Sequence, residues 1–144
     1  MMKASIFLLF CLVLLQLSCS TPEHLRKTHS GKKIDTRLAG VWEGSESDNQ
    51  QAGLTKRWKM IRSLEGTFIL EFKTFFQGRI SESKETGSWW TEGNLFYEFH
   101  EGSGKTDVYQ YQILNKDEIK FKVHTMGVPL NNEAYEFIDT RVKK

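Results

Sequence analysis

From Thr36 to Val142 the chain is a succession of short runs in which apolar and polar residues alternate, broken by turns rich in Gly, Asn and Asp. Alternation with period 2 sends successive side chains to opposite faces of a strand. Many short strands at this spacing lead to a sandwich or a barrel. The spacing predicts eight strands: Arg37–Ser47, Thr55–Arg62, Gly66–Phe76, Arg79–Trp90, Asn94–His100, Thr106–Leu114, Glu118–Thr125 and Asn132–Val142. Three connections, Ser63–Gly66, Thr91–Asn94 and Asn115–Glu118, are tight hairpins. In an up-and-down meander all three fall at one end. The longer stretches Glu46–Leu54, Glu101–Lys105 and Gly127–Asn131 then gather at the other, beside the Gln77-Gly78 turn. A Greek-key sandwich does not require this division. The expected fold class is therefore all-β, an eight-stranded antiparallel up-and-down β-barrel with one end closed by short turns.

The same alternation assigns an inner face. It predicts Trp42, Trp58, Met60, Phe68, Leu70, Phe72, Tyr109, Tyr111, Ile113, Ile119, Phe121, Val123, Tyr135 and Phe137 inside. Over Asn94–His100 it puts Leu95, Tyr97 and Phe99 inside and Phe96, Glu98 and His100 outside. Over Arg79–Trp90 an inward Trp89 carries Ser81, Ser83 and Glu85 with it.

Ahead of the barrel lie two other segments. Met1-Met2-Lys3 is a cationic start, and Ile6–Leu15 an apolar run short of a membrane span, so residues 1–18 read as a signal peptide. Leu15-Gln16-Leu17-Ser18-Cys19 resembles a bacterial lipoprotein signal, which makes Cys19 the candidate lipidation site. With Cys11 removed in the leader, Cys19 is the one cysteine left and has no disulfide partner in the chain. Residues 19–35 are polar, carry Arg26, Lys27, Lys32 and Lys33, and lack hydrophobic periodicity. They read as a flexible tether, with residues 36–144 forming the barrel domain. The location this implies is a bacterial cell envelope, as an outer-membrane lipoprotein facing the periplasm or the surface. The formal net charge of +2 offers no electrostatic case for nucleic acid.

Gly40-Val41-Trp42 opens the first strand, and Arg141 sits late in the last, on the face shared by Tyr135 and Phe137. Because the last strand runs back to the closed end where the first begins, Arg141 is placed to stack on Trp42. In this Gly-x-Trp and late arginine the chain resembles the lipocalins and their calycin relatives, and is similar to compact bacterial lipocalin-like lipoproteins. The resemblance implies that Gly40, Trp42 and Arg141 close the barrel structurally and do not touch ligand.

An eight-stranded barrel is either filled by side chains or holds one small ligand. Interior phenols, which need hydrogen-bond partners, lean toward a pocket. The expected ligand is a small apolar or amphipathic molecule entering at the loop-ringed end. Phe76, Phe99, Tyr109 and Val128 are the candidate mouth residues, and Trp58 and Tyr111 lie deeper. Arg62 and Glu85 are further candidates, either paired with each other or with Arg62 holding an anionic head. The alternative is a filled barrel acting on a protein partner, as a protease inhibitor or an envelope-complex component, with Phe96, Trp90, Ile69 and Phe75 as an outer apolar stripe. No cofactor is implied. The histidines match no zinc spacing, and no catalytic set is expected; Gly102-Ser103-Gly104-Lys105-Thr106 lacks the spacing of a phosphate-binding loop.

Overall fold

The computed structural model describes residues 22–130 and 134–143. The predicted signal peptide and Cys19 lie outside them. Two short strands, β1 (Leu25–Lys27) and β2 (Lys33–Asp35), form an antiparallel hairpin, followed by a single 3-10 turn at Thr36–Leu38. Eight longer strands follow: β3 (Gly40–Ser47), β4 (Thr55–Arg62), β5 (Thr67–Phe76), β6 (Arg79–Glu92), β7 (Leu95–His100), β8 (Lys105–Asn115), β9 (Glu118–Thr125) and β10 (Glu136–Arg141). They close into one antiparallel barrel in which each strand pairs with its sequence neighbours and β10 returns to β3. The expected up-and-down barrel is the observed one.

The closed end is solid. Trp42, Trp89, Phe96, Phe121, Leu38 and Ile119 are all but sealed from solvent, and Met60 and Phe68 pack with them. Phe121 packs on Phe96 with ring centroids 5.1 Å apart. Burying this much aromatic surface is the main drive for closure.

Two expectations are overturned here. The stretch read as a flexible tether is folded from its first described residues. Ile34 and Asp35 of β2 are fully buried against the base. Asp35 accepts hydrogen bonds from the Arg37 backbone N–H (3.1 Å), from Arg37 Nη2 (2.6 Å) and from the Tyr111 hydroxyl (3.0 Å). A carboxylate with that many donors is a structural anchor, and it plugs the hairpin into the barrel floor. Burial alone would raise its pKa, but the Arg37 and Tyr111 hydrogen bonds together hold it below the ordinary value.

The second correction concerns β7, whose phase is reversed. Phe96 and Glu98 are buried in the interior, while Leu95, Tyr97 and Phe99 take the outer side. The cause is the two-residue turn Gly93-Asn94. It pairs Glu92 with Leu95, hence Thr91 with Phe96 and Trp89 with Glu98. Once Trp89 is inside, its cross-strand partner must be inside too. Tyr97 instead stacks on Trp90 outside, at 5.0 Å and 7°. Phe96, one residue of the supposed outer apolar stripe, is core.

Candidate functional site

At the base, the Arg141 guanidinium lies 4.0 Å from the Trp42 ring centroid. Its nitrogens donate to the carbonyls of Lys116 (3.1 Å), Ala39 (3.0 Å) and Arg37 (2.9 Å). Trp42 Nε1 donates to Leu38 O at 2.9 Å. Gly40 has φ +123°, and a Cβ there would stand 2.6 Å from Arg141 Nη1. Glycine is thus required both by the backbone conformation and by the approaching guanidinium. These residues cap the barrel and leave nothing for a ligand.

Above the packed base the lumen opens. A cavity of about 600 Å³ runs from the barrel's waist to the mouth. Its walls include Trp58, Leu70, Phe72, Tyr109, Met126 and Phe137, and its rim includes Ser103, Lys105, Val128 and Tyr135. Trp58 packs edge-on against Phe137 at 5.3 Å. Gly44 on β3 makes room for the Trp58 indole, since a Cβ there would collide with its ring. This is the open, loop-ringed end that the turn lengths predicted.

The floor of the cavity is polar. Asp139 of β10 is fully buried and accepts from Trp58 Nε1 (2.7 Å) and Arg62 Nη2 (2.8 Å). The Arg62 guanidinium also lies 4.9 Å from the Phe96 ring centroid and 5.1 Å from that of Phe121. Beside it stands Glu98. Burial pushes the Glu98 carboxyl up to about 7, against the pull of Arg62 and His100. His100 Nδ1 is 2.7 Å from Glu85, and its Nε2 is 3.2 Å from Asp107. Asp107, Glu98 and Glu85 overcome the cost of burial and raise the His100 pKa to about 9.

Both shifts have the same consequence for stability. Glu98 titrates near 7 when folded and at 4.5 when unfolded, so folding takes up a proton between those values and stability falls as pH rises across them. The His100 contribution is full below about 6.5 and lost as pH rises through about 9. Glu98→Gln is expected to remove the first decline, by up to a few kcal/mol, and to shrink the second, which keeps the contributions of Asp107 and Glu85. Urea midpoints of parent and variant at stepped pH check this; parallel curves between 4.5 and 7 would refute it.

Of the residues expected to meet ligand, Trp58, Arg62, Glu85, Tyr109 and Val128 line the cavity. Three do not. Phe99 is on the outer side through the reversed phase of β7. Tyr111 is tied to Asp35 beneath the base. There burial, followed by the Asp35 charge, raises its pKa to about 12. Phe76 lies at the far end of β5, paired with Arg79 and near Gly53 of the β3–β4 connection, beyond the cavity lining. Arg62 and Glu85 do not pair: Arg62 is neutralised by Asp139, and Glu85 by His100. Asp139, Glu98, His100 and Asp107 were not among the expected site residues. Asp139 and Asp107 share the inner faces of Phe137 and Tyr109, so parity alone could have raised them.

A broader depression of about 860 Å³ lies outside the barrel between the β1–β2 hairpin and Trp90. Lys32 Nζ already covers the Trp90 ring at 3.0 Å, leaving that aromatic face occupied. Among the described residues no group of three or more His, Cys, Asp and Glu could hold a metal ion.

No protein-family model matches the chain, and no curated protein matches it. Among solved structures, a point mutant of the fluorescent protein UnaG is similar with a TM-score of 0.39 and 10% identity. The match covers 76% of this chain and 98% of that chain. At this level the likeness says nothing about ligand or activity.

Proposed function

We propose that the chain is an exported, membrane-tethered protein whose lipocalin-like barrel binds a small amphipathic molecule through the loop-ringed mouth. The observation that carries this reading is the cavity of about 600 Å³, walled by aromatic and aliphatic side chains and floored by buried charged groups. An apolar enclosure with a few convergent polar groups is the usual form of a small-ligand site. Burial against the walls supplies about 25 cal/mol per Å² before the costs of association. The binding involves no catalysis and no cofactor.

The tether rests on the sequence: a cationic start, an apolar run and then Cys19. Lipidated Cys19 would hold the protein to a bacterial outer membrane. The β1–β2 hairpin begins a few residues later and carries Arg26, Lys27 and Lys33, which suit an anionic bilayer surface. One experiment covers both parts of the reading. Parent protein and Cys19→Ser are produced with the full leader, fractionated and analysed by native mass spectrometry. Expected are membrane association of the parent alone, and a co-purifying small molecule in both. A soluble parent removes the tether; a lumen that holds no added or co-purifying amphiphile removes the binding reading.

A further inference from the structure

We propose that the floor of the lumen cavity is a head-group site for an uncharged amide, which accepts from Arg62 and donates to Glu98. This deepens the small-ligand reading and rests on it. Arg62 is 3% exposed, and only Nη2 of its guanidinium is bonded, to Asp139. Its Nε and Nη1 are buried without a hydrogen-bond partner among the described residues. Glu98 is 4% exposed, and its Oε1 is likewise buried and unpartnered among the described residues. Both side chains border the same cavity. Buried polar groups in folded proteins are normally satisfied, and one guest in the cavity that both side chains border can serve the idle donors of Arg62 and the idle acceptor of Glu98.

The chemistry of that guest follows from the charges. A carboxylate could accept from Arg62, but it brings no proton for Glu98. It would also add a negative charge beside Glu98, Asp107 and Asp139, when Asp139 has already neutralised Arg62. An ammonium could donate to Glu98, but it has no acceptor for the guanidinium and meets a like charge. An amide has a carbonyl oxygen and an N–H on neighbouring atoms. It satisfies both partners and adds no charge to a buried site. Its hydrocarbon chain then lies along Trp58, Leu70 and Phe137 toward the mouth.

The groups facing Glu98 are Arg62 on β4, His100 on its own strand, Asp107 and Tyr109 on β8, and Asp139 on β10. His100 stays charged to about 9, so the group that changes near neutrality is Glu98 itself. Protonated Glu98 can donate to a carboxylate; ionised Glu98 repels one.

The test is calorimetric titration of the intact folded protein with octanamide, octanoate and octylamine at about pH 8.5 and about pH 5.5. Octanamide is expected to bind about tenfold tighter than octanoate at the higher pH, with the gap narrowing at the lower. In Glu98→Gln, whose amide can itself donate, the gap is expected to shrink to about threefold or less at both. The pH series on the parent protein stands alone if that variant does not fold. Octanoate or octylamine binding as tightly as octanamide at the higher pH overturns the head-group proposal and leaves the cavity reading intact. If none of the three binds, the cavity reading itself falls.

Discussion

Replacing Asp139 by Ala is expected to cost about 3–5 kcal/mol of stability, because it strands the Arg62 charge inside the barrel. Arg62 has one charged partner within hydrogen-bonding range, Asp139 at 2.8 Å, and its side chain is 2% exposed. The same substitution removes the acceptor of Trp58 Nε1. The position matters for topology as well. In the closed order β10-β3-β4, Asp139 reaches past β3 to hold two residues of β4. The β10–β3 seam is short, with Thr140 opposite Glu43 and Arg141 opposite Trp42. Bonds through the lumen therefore brace a junction that the backbone ladder holds only briefly. Removing both charges together should be far milder. Arg62→Met combined with Asp139→Leu keeps volume and leaves no unpaired ion, and is expected to lie within about 2 kcal/mol of the parent. Urea unfolding of the parent, Arg62→Met, Asp139→Leu and the double variant closes the cycle, with a coupling of about 3 kcal/mol expected between the sites. An Asp139→Ala protein within about 1 kcal/mol of the parent would show that water reaches Arg62 and screens it. The polar floor would then not be the low-dielectric site described above.

The barrel was legible because period-2 alternation and turn length are local properties that survive into the fold. Thr55–Arg62 and Glu118–Thr125 carry the same boundaries in sequence and structure. The meeting of Trp42 and Arg141 follows from strand direction once the meander is drawn. What stayed hidden was decided by pairing. Both faces of β7 carry aromatics, so composition favoured the face without charges. The register set by Gly93-Asn94 overrode it and put Glu98 inside. Asp139 shares the inner face of Phe137, but an acidic residue on a core face makes sense only when Arg62 and Trp58 are seen beside it. The β1–β2 hairpin escaped because strands of three residues are too short to show a period. Its one fully apolar anchor, Ile34, sits among lysines and is buried by the barrel base.

Arg141→Leu is expected to cost about 3 kcal/mol, with Arg141→Lys recovering less than half. The contact joins two kinds of interaction. A partly exposed guanidinium 4.0 Å from the centroid of a buried indole is worth about 1 kcal/mol. The three bonds to the Lys116, Ala39 and Arg37 carbonyls add to it and fix the end of β10 on the β8–β9 turn and the approach to β3. Lysine can keep the charge over Trp42, but it lacks the planar fork that reaches three carbonyls at once. Gly40→Ala should injure the same junction from the other side. Its Cβ would meet Arg141 Nη1 at 2.6 Å, on a backbone at φ +123° that alanine resists. Because the two changes disturb one contact, Gly40→Ala combined with Arg141→Leu is expected to cost less than the sum of the single losses. Strict additivity would mean that Gly40 serves only the backbone and that the guanidinium is free to move aside. The cavity mouth is at the opposite end of the barrel from this junction, and neither Gly40 nor Arg141 lines the cavity. Variants that still fold should therefore bind an amphiphile as the parent does, and a parallel loss of binding would place the ligand at the base instead.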